Sequence, residues 1–171
     1  MARRPPLPIA AATALLFGIA ADASPASTQT TTPASATMPV SVEVLPNCAV
    51  VAEPLAFGAV TAAEAPGRSA TASIEVACGP SVPFTVALDG GQYADGGTRR
   101  ALDPATGRYV AYDIFADAAH SLRWGSSGAE AVSAVTTSAG TARLAAYGRL
   151  DSSTQVEAGR YDDIVTVTIG F

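Results

Sequence analysis

Few residues of this chain are equipped for covalent or metal chemistry, and their spacing narrows what that chemistry is. Cys48 and Cys78 are its two cysteines, thirty residues apart, and neither belongs to a C-x-x-C pair. In an exported chain such a pair reads as one disulfide rather than a redox centre. His120 is the sole histidine. One imidazole and two thiols complete neither a structural zinc site nor a blue-copper site, so no metal is expected. A serine nucleophile would have to rely on that same histidine, and no G-x-S-x-G elbow is present. Asp162 and Asp163 are adjacent, so on a strand they point to opposite faces and cannot act as a facing acid/base pair. They read as a turn-exit pair, Arg99-Arg100 as a solvated strand end, and Trp124 as a core aromatic, with a carbohydrate platform as its other use. The expectation is a protein without catalytic residues and without a cofactor.

The elements that hold these residues follow an address label. Arg3 and Arg4 precede an apolar run over 7–20, and Ala21-Asp22-Ala23 supplies an A-x-A cleavage site. The spacing predicts a signal peptide over 1–23, export, and no stable membrane span after cleavage. Residues 24–37 hold eight Ser or Thr and two Pro, the composition of a flexible arm. The chain has ten Arg and no Lys against 15 acidic residues, a net charge of −5 that becomes −6 once Arg3, Arg4 and Asp22 leave with the leader. Such a balance argues against nucleic acid and anionic membranes as partners.

Beyond the arm the apolar residues recur with period two. Alternating runs occur at 73–78 and 84–88 and close the chain at 161–171; 109–115 reads as a strand of mixed faces, 122–124 as a short one and 141–150 as a long one, separated by turn clusters such as Asp89-Gly90-Gly91 and Asp95-Gly96-Gly97. Short strands at this spacing predict an all-β fold, an antiparallel β-sandwich. The same period appears earlier, at Met38, Val40, Val42 and Val44. β-Branched valine at three of these four positions suits a strand. Pro39 places that strand at an edge or marks its start, because proline donates no ladder hydrogen bond. Periodicity alone leaves two readings open. Residues 38–45 are either the first strand of the chain's own sandwich or a plug for a neighbouring subunit.

Several features taken in order resemble those of the spore coat protein U domain, which also forms the subunits of archaic chaperone–usher pili. They are the alternating strand before Cys48, Phe57-Gly58, Cys78, and Phe84-Thr85-Val86-Ala87-Leu88-Asp89-Gly90-Gly91. Arg99-Arg100, Tyr109 with Tyr112, Trp124-Gly125 and Tyr147-Gly148-Arg149 follow, and then Gly159-Arg160-Tyr161-Asp162-Asp163-Ile164-Val165-Thr166-Val167. The resemblance covers 38–171. It implies an immunoglobulin-like sandwich lacking its last strand, with 38–45 as a donor strand. Met38, Val40, Val42 and Val44 would then fill pockets in a neighbour. Ile164, Val165, Val167, Ile169 and Phe171 would form the receiving edge and contact the chaperone. The implied partners are neighbouring pilin subunits, a periplasmic chaperone and an outer-membrane usher. The implied route runs through the periplasm to a cell-surface fibre. Two other classes stand beside this: a stand-alone secreted coat or matrix protein, and a small adhesive module using Trp124.

Overall fold

The computed structural model describes residues 34–45, 47–126, 128–153 and 156–171. The signal peptide expected over 1–23 and most of the expected arm lie outside the described residues. The chain divides into two compact units, Met1–Ser41 and Val42–Phe171. In the first, residues 34–41 have no regular structure, and Met38 and Val40 are exposed.

The described residues of the second unit form eight strands: β1 (Ala49–Ala52), β2 (Ser69–Ala77), β3 (Pro83–Leu88), β4 (Arg99–Asp103), β5 (Arg108–Phe115), β6 (Val132–Val135), β7 (Thr141–Leu150) and β8 (Val167–Gly170). All pairings are antiparallel. One sheet has the order β1-β2-β7-β5-β4 and the other β6-β3-β8. Alternation does the sorting: Ile74 and Val76 on β2, Val110, Tyr112 and Ile114 on β5, and Phe84, Val86 and Leu88 on β3 point inward and are buried. Each fully buried aliphatic of this kind contributes about 1.5–3 kcal/mol. The turn expected at Asp95-Gly96-Gly97 is a two-residue hairpin, closed by reciprocal Asp95–Thr98 backbone bonds of 3.0 and 2.9 Å. Both of its glycines have positive φ, 54° and 84°, which a primed turn requires.

Four expectations are corrected. Residues 122–124 form only an isolated bridge, Arg123 to Phe115, held by the backbone bonds from Ala116 to Leu122 and from Trp124 to Ile114, both 2.8 Å. The strand expected from 161 or 164 begins only at Val167. Arg99 is not a solvated strand end, since β4 turns it inward and leaves it 1% exposed. The sandwich's own first strand is β1, after Cys48, and not 38–45.

Cys48 and Cys78 are joined, with Cα atoms 4.3 Å apart, tying the start of β1 to the end of β2. β1 is four residues long and exposed throughout, so it has little burial of its own to hold it. A Cys48→Ser, Cys78→Ser double variant is expected to lose about 3–4 kcal/mol from closure of a 30-residue loop. The check is a thermal melt, in which the midpoint should fall by roughly 10 °C. An unchanged midpoint would mean that the pairing of β1 with β2 holds without the bridge.

Candidate strand-accepting groove

β8 lies at the edge of the smaller sheet and pairs with β3 alone, in the register Thr85–Gly170 to Leu88–Val167. The Asp89 amide donates to the Thr166 carbonyl at 3.1 Å, whereas the Leu88 amide turns away to Gly125. Antiparallel ladders alternate, so Thr166, Thr168 and Gly170 direct their backbone groups at β3. Val165, Val167 and Ile169 direct theirs at the open edge, where β8 has no sheet partner among the described residues. An unpaired edge of this kind is a template for another strand.

Two carboxylates fix the run into β8. Asp89 Oδ1 accepts the amides of Gly91 at 2.9 Å and Thr166 at 2.8 Å. Burial alone would raise the Asp89 pKa, but those amides and the Arg99 charge outweigh it and hold the carboxyl below its usual range. Asp163 Oδ1 accepts the Gln92 amide at 2.9 Å, and its Oδ2 accepts the Tyr112 hydroxyl at 2.6 Å. Burial, and then the hydrogen bond to Asp163, push the Tyr112 pKa well up, so the phenol stays a proton donor. Asp162 instead meets Arg160, so the two aspartates do serve opposite sides.

Beside this edge lies an apolar groove of about 880 Å³. Its floor is the inner face of the larger sheet, including Ala72, Ile74, Val110, Ile114, Ala146 and Leu150. Residues of 53–62, after β1, and of 156–165, before β8, border it. Leu55, Phe57, Val60, Val156, Tyr161, Val165 and Val167 pack on the core yet remain only half-buried. Gly148 lies under two residues of the border. A Cβ on Gly148 would come within 2.6 Å of Leu55 Cδ2 and 3.0 Å of Phe57 Cζ. Phe57 in turn meets the Tyr112 ring edge-on at 6.3 Å.

The residues singled out from the sequence fall into two groups. Val165 and Val167 line the groove, and Ile169 packs against the same core. Ile164 sits on the rim, 70% exposed, and Phe171 follows β8 at 60%. Met38, Val40, Val42 and Val44 are 84–87% exposed, and no strand is assigned at 38–45. The chain thus carries an apolar row in solvent and an unfilled apolar groove. Sequence reasoning missed Leu55, the pairing of Tyr112 with Asp163, and the small residues of the floor; the signal for the floor was Ala146 at an even position of β7. Trp124 is 1% exposed and donates its indole N–H to the Val86 carbonyl at 2.9 Å, so it offers no carbohydrate platform. His120 stacks edge-on against Phe115 at 5.2 Å, and the neighbouring Ser121 hydroxyl is bonded to Asp117. Among the described residues no cluster of His, Cys, Asp or Glu is placed to hold a metal ion, and no helix is long and apolar enough to cross a membrane.

An antiparallel, immunoglobulin-like β-sandwich with an open edge and an apolar groove is the class of protein defined here. The model of the Spore Coat Protein U domain matches residues 34–168, and the chain belongs to that family. Among solved structures, a chain of the CsuC–CsuE chaperone–tip adhesion subunit pre-assembly complex, from the archaic chaperone-usher Csu pili of Acinetobacter baumannii, is similar in fold. Its TM-score is 0.59 at 24% identity, over 75% of this chain and 40% of that one. No curated protein sequence matches significantly.

Proposed function

We propose that this protein is a structural subunit of a secreted surface fibre, a pilus, whose copies join by strand addition. Residues 38–45 of one copy enter the groove of the next and pair with the open edge of β8. Main-chain bonds supply adhesion, and Met38, Val40, Val42 and Val44 fill the groove. Before assembly the groove needs cover, which fits a periplasmic chaperone, followed by an outer-membrane usher. The observation that carries this reading is the coexistence in one chain of an exposed alternating apolar row and a half-exposed apolar groove beside an unpaired strand edge. Family membership and the fold likeness to a chain from a chaperone–tip adhesion subunit complex support it.

The test is electrophoretic. Native secreted protein is expected to run as an SDS-resistant ladder that boiling collapses to monomer. A chain lacking residues 38–45 should run as monomer in both conditions. A ladder that survives the deletion would overturn the reading.

A further inference from the structure

The wall of the groove that leads into β8 carries a charge on its apolar side. Asp163 has the parity of Val165 and Val167, and its side chain lines the groove together with Tyr112. A carboxylate among apolar side chains is costly unless it is bonded. Its two oxygens bond to two different parts of the domain. Oδ2 accepts the hydroxyl of Tyr112 on β5 at 2.6 Å, and Oδ1 accepts the amide of Gln92, in the turn after β3, at 2.9 Å. The turn is shaped to admit it: Gly91 has a φ of 82°, and a side chain there would collide with the Asp163 carboxylate. The other bonds of residues 162, 164 and 166 each reach one side only. Asp162 exchanges backbone bonds of 3.0 Å with Leu102 on β4, while Ile164 and Thr166 bond to Gln92 and Asp89 of the turn. Among the described residues, Asp163 is the one member of 162–166 whose side chain ties the larger sheet to the turn.

We propose that Asp163 is a positioning residue, a prop that holds the wall at 162–166 in place in a subunit that has not yet received a strand. The proposal rests on the strand-addition reading, in which each subunit must wait with its groove accessible before a neighbour arrives. Val165 and Val167 are half-buried and would gain burial by sliding further over the floor of the groove. A carboxylate bonded on both sides opposes that slide. Once a strand lies along the wall, its backbone bonds and side chains hold the same residues, and the prop becomes redundant.

Amide hydrogen exchange on the full chain tests this, once as dilute monomer and once as ladder. Tyr112→Phe removes the phenol oxygen and keeps the ring against Phe57. Asp163→Asn leaves a single side-chain oxygen, so one of the two bonds is lost and an N–H is set against a donor. A hydrogen bond to a charged group shifts an opening equilibrium by about tenfold or more. In the monomer the amides of Gln92, Asp162 and Thr166 should therefore exchange about tenfold faster in either variant, with those of β2 and β7 within about twofold of the parent. In the ladder all of these amides should match the parent. Unchanged exchange at Gln92, Asp162 and Thr166 in both variants overturns the prop. Exchange that quickens equally in β2 and β7, or that stays fast in the ladder, makes the two bonds general stabilisers of the fold and overturns a role confined to the waiting subunit. A parent chain that forms no ladder overturns the strand-addition reading alone, because the monomer measurement judges the prop without a partner.

Discussion

Val42→Asp is expected to leave a soluble, disulfide-bonded subunit that no longer forms SDS-resistant ladders. Val42 is 86% exposed in the subunit, so a charge there meets water and the fold loses nothing. In the groove of a neighbour the same side chain must be desolvated among Val165, Val167 and the apolar floor. The lost valine burial is worth about 1.5–3 kcal/mol. Desolvating an unpaired carboxylate adds several more, on the order of 3–5 kcal/mol. Every 1.4 kcal/mol is about tenfold in an equilibrium, so the ladder should weaken by at least about a thousandfold and vanish. Ser41→Asp is the companion measurement, because residue 41 points the other way and should polymerise nearly as the parent does. If both variants polymerise alike, or if Val42→Asp unfolds the domain, residues 38–45 belong to their own core.

Arg99→Met is expected to destabilise the domain more than any surface substitution. The guanidinium spans the two sheets. Nε donates to the Asp89 carbonyl at 2.9 Å, and Nη2 donates to the carbonyls of Asp89, Leu88 and Trp124 at 2.7, 3.1 and 2.8 Å. Nη1 meets Asp113 Oδ1 at 2.5 Å, while Arg123 holds Asp113 Oδ2 at 2.6 Å. Methionine fills much of the volume but leaves interior carbonyls without donors. Removing one partner of such a buried charged network costs about 3–5 kcal/mol. For a domain of this size the melting midpoint should drop on the order of 10 °C. Arg99→Lys should recover little, since one ammonium cannot reproduce a planar fork that makes five hydrogen bonds to four acceptors. A midpoint within about a degree of the parent would mean that the buried guanidinium is energetically neutral.

The period-two runs on β2, β3, β5 and β7 were legible because alternation is local: each residue reports its own face. The glycine turns and the cysteine pair were legible for the same reason. The unread strands are short or unpatterned. β1 is Ala-Val-Val-Ala, exposed at every residue, and exists because Cys48 and β2 hold it there. β4 carries arginine on its inner face, which a pattern of apolar residues cannot flag. The start of β8 was misplaced because Asp162 bridges to Leu102 on β4 before the chain passes to β3. One continuous alternating run is thereby divided between two sheets.

By itself the sequence determined the sandwich class, the bridge between Cys48 and Cys78, and an alternating apolar row ahead of them, since each depends on residue types a few positions apart. Only the tertiary structure decided that this row stays in solvent, that Arg99 and Trp124 go inside, and that Ala72 and Ala146 join the floor of an apolar groove. Those outcomes depend on which distant strand lies opposite. An alternating pattern says that one face is apolar, and it does not say whose core that face will fill.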